Sequence, residues 1–239
     1  MKESTWNGFR RIDFEFMGRN AILVFPEQEN KTTHWLLKTE YFTAFQSLEL
    51  EMVKLGWHLA YISNITRWCL EEDLDVKKAF ADYLMKEYGL DRKCVPVGMS
   101  CGGMIATKFA AKYPECISCL YLDAPVMNLL SCPCGLGKAG ADMYEEFVTA
   151  TNMTIEDLIN YREHPVDKVP ALLAGGIPVI MVYGKDDLVV PYDENGAVLE
   201  KYYTENNGDL RLIGKDNCGH HPHGLENPAP IVEFILEHC

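Results

Sequence analysis

Long apolar runs are missing from this 239-residue chain. Met1 to Arg11 has no apolar core of a secretory leader, and the apolar stretch nearby, Ala21 to Phe25, is far short of the ~20 residues that cross a bilayer. Basic residues are scarce: 22 Lys and Arg against 35 Asp and Glu leave a net charge of -13. Such a balance offers no electrostatic footprint to a phosphate backbone or an anionic membrane surface, so neither nucleic acid nor membrane is an expected partner. Internal repeats, low-complexity tracts and linkers are also absent. Cysteine is plentiful at nine, but the odd count and the scattered positions (69, 94, 101, 116, 119, 132, 134, 218, 239) do not make a disulfide framework in a chain this long. A soluble protein of the reducing cytoplasm is the expectation.

Hydrophobic residues make up 48% of the chain, enough to bury one substantial core, and residues 1–239 read as a single domain. Ile12, Phe14 and Phe16 alternate with charged residues and are followed by Gly18-Arg19-Asn20, which predicts a hairpin into Ala21 to Phe25. Further β-rich runs at Leu59 to Ile62, Cys94 to Gly98, Ser118 to Leu122, Pro178 to Tyr183 and Leu210 to Ile213 alternate with helix-period stretches. Among these are a segment that Asp73 precedes, running through Tyr88 and closed by Gly89, then Glu194 to Tyr203, and a last helix over Ile231 to Leu236. This alternation predicts an α/β fold with a mostly parallel central sheet flanked by helices. The one long interruption, about 127–176, holds helical stretches near Ala141 to Thr151 and Thr154 to Tyr161 and reads as a small cap.

Gly98-Met99-Ser100-Cys101-Gly102 follows one of these strands and opens the helical run Met104 to Tyr113. With glycine near 7% of residues, G-x-S-x-G arises by chance in roughly one chain in fifteen of this length, so the flanking strand and helix carry the signal. A serine on so sharp a turn needs small neighbours on either side, and the turn aims the N-H of Cys101 at a reacting carbonyl oxygen. A serine hydroxyl also needs a base and a carboxylate downstream. Asp186 and Asp187 follow the strand ending at Tyr183, and His220, His221 and His223 follow the next one, at the sheet edge where open α/β folds put their sites. Three histidines so close together could instead bind a metal, as could Cys132-Pro133-Cys134. The first set lacks a carboxylate neighbour and the second lacks a partner pair at zinc spacing, so no metal is expected.

Gly98 to Gly102, Gly184 to Pro191 and Gly219-His220 together resemble the α/β-hydrolase superfamily over nearly the whole chain. His220 to Leu225 and the Trp35 to Phe45 region are similar to a bacterial subgroup of lipase- or esterase-type sequences. The resemblance implies Ser100 as nucleophile, Asp187 rather than Asp186 as the acid through G-x-x-D-x-x-V-P, and His220 as the base through G-H with Glu226-Asn227-Pro228 downstream. The loop after Ala21 to Phe25 reads Pro26-Glu27, where many esterases carry glycines, and the N-H of Glu27 is the candidate second oxyanion donor beside that of Cys101. The chain before Ala21 shows one clear strand, so the first edge strand of the superfamily is expected to be missing. Asp123, His58 and His164 read as structural, and His34, Trp35 and Glu40 as pocket or core residues. The implied activity is cofactor-free hydrolysis of carboxylic esters of small soluble substrates, acylated sugars or phenolic esters included. Acyl transfer or amide and peptide cleavage by the same residues is the alternative, and an inactive binding protein is a third reading.

Overall fold

The computed structural model describes residues 1–239. In chain order the strands and helices are β1 (Lys2–Trp6), β2 (Phe9–Phe16), β3 (Arg19–Val24), β4 (Trp35–Lys38), α1 (Ser47–Lys54), β5 (His58–Ile62), α2 (Glu71–Tyr88), β6 (Val95–Met99) and α3 (Cys101–Lys112). They continue with β7 (Leu120–Asp123), α4 (Tyr144–Thr151), α5 (Ile155–Asn160), α6 (Val169–Ala174), β8 (Val179–Gly184), α7 (Gly196–Glu205), β9 (Leu210–Lys215) and α8 (Ala229–Glu237). The nine strands form one sheet in the order β1-β2-β3-β5-β4-β6-β7-β8-β9. β1, β2, β3 and β5 pair antiparallel in succession, and every pair from β5 onward is parallel.

Two strands precede Ala21 rather than one. Lys2–Trp6 escaped the sequence reading because its side chains are mostly exposed, so no apolar alternation marks it. The other strand that went unread, Trp35–Lys38, is buried at all four positions and ends in a lysine. Period-two patterning decides the layers. Leu36, Val97, Tyr121, Ile180 and Val182 face one side with Met52, Val53 and Phe234, while Leu37, Leu122, Val179 and Met181 face the other with Phe80, Ile105 and Phe109. Each such side chain withdrawn from water stabilises the fold by about 1.5–3 kcal/mol.

α2 is punctuated by charge and conformation. Glu71, Glu72 and Asp73 lie in its first turn, the Asp73 carboxylate accepts the N-H of Leu70 at 3.3 Å, and Gly89 closes the helix at φ 68°. Asp73 therefore sits inside the first turn instead of before it. Residues 124–178 join β7 to β8. Thr154 caps α5, its hydroxyl accepting from the Asp157 N-H. His164 ties the segment together by accepting the N-H of Leu129 at 3.2 Å and bonding the Leu158 carbonyl at 3.1 Å. α6 packs beside α3 and α7, with Val169 and Leu172 in the main core. The cap is accordingly shorter than the expected 127–176, because its last helix belongs to the layer against the sheet. No helix is long and apolar enough to cross a membrane.

Candidate active site

β6 runs into α3 through a single residue, Ser100, held at φ 52° and ψ -121°. Such a conformation costs a side-chain-bearing residue about 1–3 kcal/mol and persists only where surrounding bonds impose it. Here the Ser100 N-H donates to the Asp123 carbonyl at 2.9 Å, and the Ser100 carbonyl accepts from Gly103 at 2.9 Å and Val126 at 3.0 Å. The glycines are steric requirements: a Cβ on Gly98 would stand 2.6 Å from the Gly102 carbonyl oxygen and 2.7 Å from the Ala106 Cβ, and one on Gly103 would stand 2.5 Å from the Pro125 Cβ. Cys101 is the first residue of α3, so its N-H has no partner within the helix and lies at the positive end of the helix dipole. Burial pushes the Cys101 thiol up to about 11, which keeps it protonated beside the serine.

The loops after β8 and β9 deliver the remaining groups. Asp187 is buried; its Oδ1 accepts the N-H groups of Val189 and Val190, each at 2.8 Å, and its Oδ2 faces His220 Nδ1 at 2.7 Å. An ionised carboxylate only accepts, so His220 Nδ1 carries the proton and donates it to Asp187. Nε2 of the neutral ring is then the acceptor for the Ser100 hydroxyl, 3.0 Å away. Gly184 permits this convergence, since a Cβ there would run into the carbonyl oxygens of Cys218 and Gly219. Asp186 is exposed and stays out of the chain of bonds.

Asp123, at the end of β7, belongs to a second carboxylate-imidazole pair. Its Oδ1 lies 2.6 Å from His223 Nδ1, while its Oδ2 accepts the Gly224 N-H at 2.6 Å and the Tyr121 hydroxyl at 3.0 Å. This pair holds the loop carrying His220 against the sheet. Neither the Asp123 carboxylate nor the His223 ring bonds the Ser100 hydroxyl.

Glu27 is not an oxyanion donor. Val24 pairs with Leu59 at the start of β5, so the antiparallel β3 delivers Pro26 and Glu27 to the sheet edge opposite Ser100, where Glu27 is exposed. The strand that borders β6 is β4, and the loop after it reaches the serine instead. The Thr39 hydroxyl donates to the Gly102 carbonyl at 2.7 Å, and a Cβ on Gly102 would stand 3.2 Å from the Glu40 Cβ. Tyr41 follows at φ 53°, in the left-handed region that favours glycine. Asn64 braces this loop through the Thr39 carbonyl at 2.9 Å and the Glu40 carboxylate at 2.5 Å. His34 and Trp35 sit at the far end of β4, bonded to Asp91, and line no part of the site.

Ser100, His220, Tyr41, Phe45, Arg67, Met143 and Val189 line a cavity of about 290 Å3, together with His221 and His223. Arg67 joins the cap to this wall by a paired contact with Glu146 of α4, its Nε donating at 2.7 Å, and Trp68 Nε1 donates to the same carboxylate at 3.0 Å. Nothing in the sequence pairs Arg67 with Glu146, because the two lie 79 residues apart. Tyr41 was within reach of the sequence reading, since the Trp35 to Phe45 region had already stood out.

Sheet order, sharp serine turn and convergent Ser, His and Asp define an α/β protein built like a hydrolase. The family model described as the alpha/beta hydrolase fold matches residues 62–136, and the chain has the α/β-hydrolase fold. Over 143 residues it is 28% identical to the acylamino-acid-releasing enzyme of Mus musculus, a match spanning 58% of this chain and 19% of the mouse protein. The fold is shared with dipeptidyl peptidase 4 of Porphyromonas gingivalis (TM-score 0.73, 14% identity, 97% of this chain and 36% of that one). It is also shared with the acylaminoacyl peptidase of Pyrococcus horikoshii (TM-score 0.67, 14% identity, 89% and 37%). A puromycin-hydrolyzing peptidase of Mycobacterium tuberculosis is similar as well (TM-score 0.71, 12% identity, 95% and 38%). The chain thus spans about a fifth of the curated relative and little more than a third of these structures.

Proposed function

We propose that the chain is a serine hydrolase that cleaves carboxylic esters of small soluble substrates through an acyl-enzyme on Ser100. The observation that carries the reading is the unbroken chain of bonds from the strained Ser100 through His220 to Asp187, at 3.0 and 2.7 Å. His220 Nε2 takes the hydroxyl proton as Ser100 Oγ attacks the carbonyl carbon, and Asp187 stabilises the imidazolium that forms. The negative charge moves to the carbonyl oxygen, where the N-H of Cys101 receives it together with, in place of that of Glu27, the N-H of Tyr41, which must leave the Glu40 carboxylate that it bonds at 3.2 Å in the resting site. His220 then returns its proton to the leaving alcohol. Water activated by the same nitrogen releases the acid, and a cavity of about 290 Å3 suits short acyl groups.

Cleavage of amides or peptides by the same groups is the second reading. The likeness to acylaminoacyl and dipeptidyl peptidases favours it, and an amine leaving group needs only that His220 act as acid toward nitrogen. Rates on short p-nitrophenyl esters set against acyl-aminoacyl p-nitroanilides separate the two, and added alcohols reveal acyl transfer. In either case Ser100→Ala abolishes turnover and covalent labelling by a fluorophosphonate. Labelling retained in that variant overturns the assignment.

A further inference from the structure

His221 and His223 stand beside His220 but take no part in the proton transfers proposed for Ser100. The three rings form a near-equilateral triangle, with centroids 4.8 to 4.9 Å apart and planes crossing at 63 to 88°. One ring nitrogen from each lies within 4.8 Å of the other two. Two of the rings are oriented from behind: Asp187 holds His220 Nδ1 at 2.7 Å, and Asp123 holds His223 Nδ1 at 2.6 Å. A carboxylate on Nδ1 leaves the Nε2 lone pair free to project forward, the arrangement that fixes and strengthens imidazoles bound to metal. Asp123 is itself anchored by the Gly224 N-H and the Tyr121 hydroxyl. His221 is exposed and stacks on Phe45 with centroids 5.6 Å apart, so its ring has room to turn toward the others.

We propose that His220, His221 and His223 bind one divalent cation of borderline softness, zinc above all, in a three-imidazole site on the cavity wall, and that this ion silences Ser100. Neutral imidazole nitrogens suit zinc, and Zn-N bonds of roughly 2.0–2.1 Å set the ligand nitrogens of a tetrahedral site about 3.4 Å apart. Closing the triangle needs a shift of about 1.4 Å at most, which turning of the exposed His221 ring can largely supply. Water fills the fourth position. His220 Nε2 has one lone pair; while it is given to the ion it is not available to the Ser100 proton 3.0 Å away. Cation binding is independent of the hydrolase reading, whereas the silencing rests on it.

The test uses the untagged full chain, stripped with a chelator and titrated calorimetrically with zinc chloride at neutral pH. One ion per chain is expected, with binding about tenfold or more weaker in His221→Ala and in His223→Gln. Cys218→Ser and Ser100→Ala should bind as the parent does, which separates the histidines from thiols and from catalysis. Circular dichroism melts check that each variant is folded. Fluorophosphonate labelling of Ser100 should be blocked by saturating zinc and restored by chelator. Absence of one-to-one binding, or binding undiminished in folded His221→Ala, overturns the site. Labelling that proceeds unchanged at saturating zinc overturns the silencing. A chain that binds zinc through these histidines and hydrolyses no ester or amide in its stripped form refutes the hydrolase reading and leaves the metal site standing.

Discussion

Acid should destabilise this fold through His58, and replacing His58 by leucine should remove that sensitivity. His58 opens β5 with its side chain fully buried, its ring edge-on to Phe25 at 5.7 Å and neither ring nitrogen hydrogen-bonded. Burial first, and the charge of Lys31 second, lower its pKa from 6.5 to about 4. A depressed folded-state value means that the unfolded chain takes the proton first. The contribution of the neutral ring is therefore complete above the unfolded value of 6.5, erodes as pH falls below it, and is wholly lost below about 4. At about 1.36 kcal/mol per pK unit the full loss is about 3 kcal/mol, of which about 2 kcal/mol is gone by roughly pH 5.

Urea unfolding followed by circular dichroism at about pH 7 and about pH 5 measures this directly. The drop in stability should be about 2 kcal/mol smaller in His58→Leu than in the parent, and at neutral pH the variant should be at least as stable, because it buries no unpaired nitrogen. A variant that loses stability with acid as steeply as the parent refutes the reasoning. His58 lies at the opposite end of the parallel strands from Ser100, so the substitution leaves the residues around the serine in place.

Two further substitutions probe the site. Asp187→Asn keeps an oxygen for the Val189 and Val190 N-H groups but offers its amide to His220 Nδ1. That places the ring proton on Nε2 and should lower kcat on a nitrophenyl ester by about 10^3–10^4 with the fold retained, as steady-state kinetics and a thermal melt would record. Gly98→Ala forces a methyl to 2.6 Å from the Gly102 carbonyl oxygen and 2.7 Å from the Gly103 Cα, so denaturant melts should show a loss of about 2 kcal/mol or more, with slower fluorophosphonate labelling of what remains folded.

What the sequence made legible follows from where each signal is carried. β6, β7 and β8 are buried on both faces and read as apolar runs, and α2 announces itself by charge and by Gly89. Ser100, Asp187 and His220 were legible because each sits in a local pattern: glycines required by sterics around the serine, and, for the acid and the base, the stretches Gly184 to Pro191 and Gly219-His220 that carry the family resemblance. β1 carried no such signal, being mostly exposed. β4 is four residues long and ends in Lys38, a charge inside the core paired with Glu49, so its pattern imitates a loop. Missing that strand moved the oxyanion loop one strand too early, onto Glu27.

A backbone donor leaves no mark in residue identity, and this explains why glycine was sought where none was needed. Tyr41 takes a backbone conformation usually given to glycine, at a cost of about 1–3 kcal/mol. Buried polar contacts impose it. Lys38 bonds Glu49 and, at 3.3 Å, the Ala44 carbonyl, while Lys77, whose pKa burial lowers to about 8, bonds the Asn64 side chain that holds Thr39 and Glu40. A glycine at 41 would relieve the strain and forfeit the side chain. The Tyr41 side chain shares the cavity wall with Arg67, and Arg67 grips Glu146 of the cap. One strained residue thereby stands on the same wall as the residue that joins the loops over Ser100 to the cap helix. The position that departs most from the glycine pattern is the one whose side chain lines the cavity.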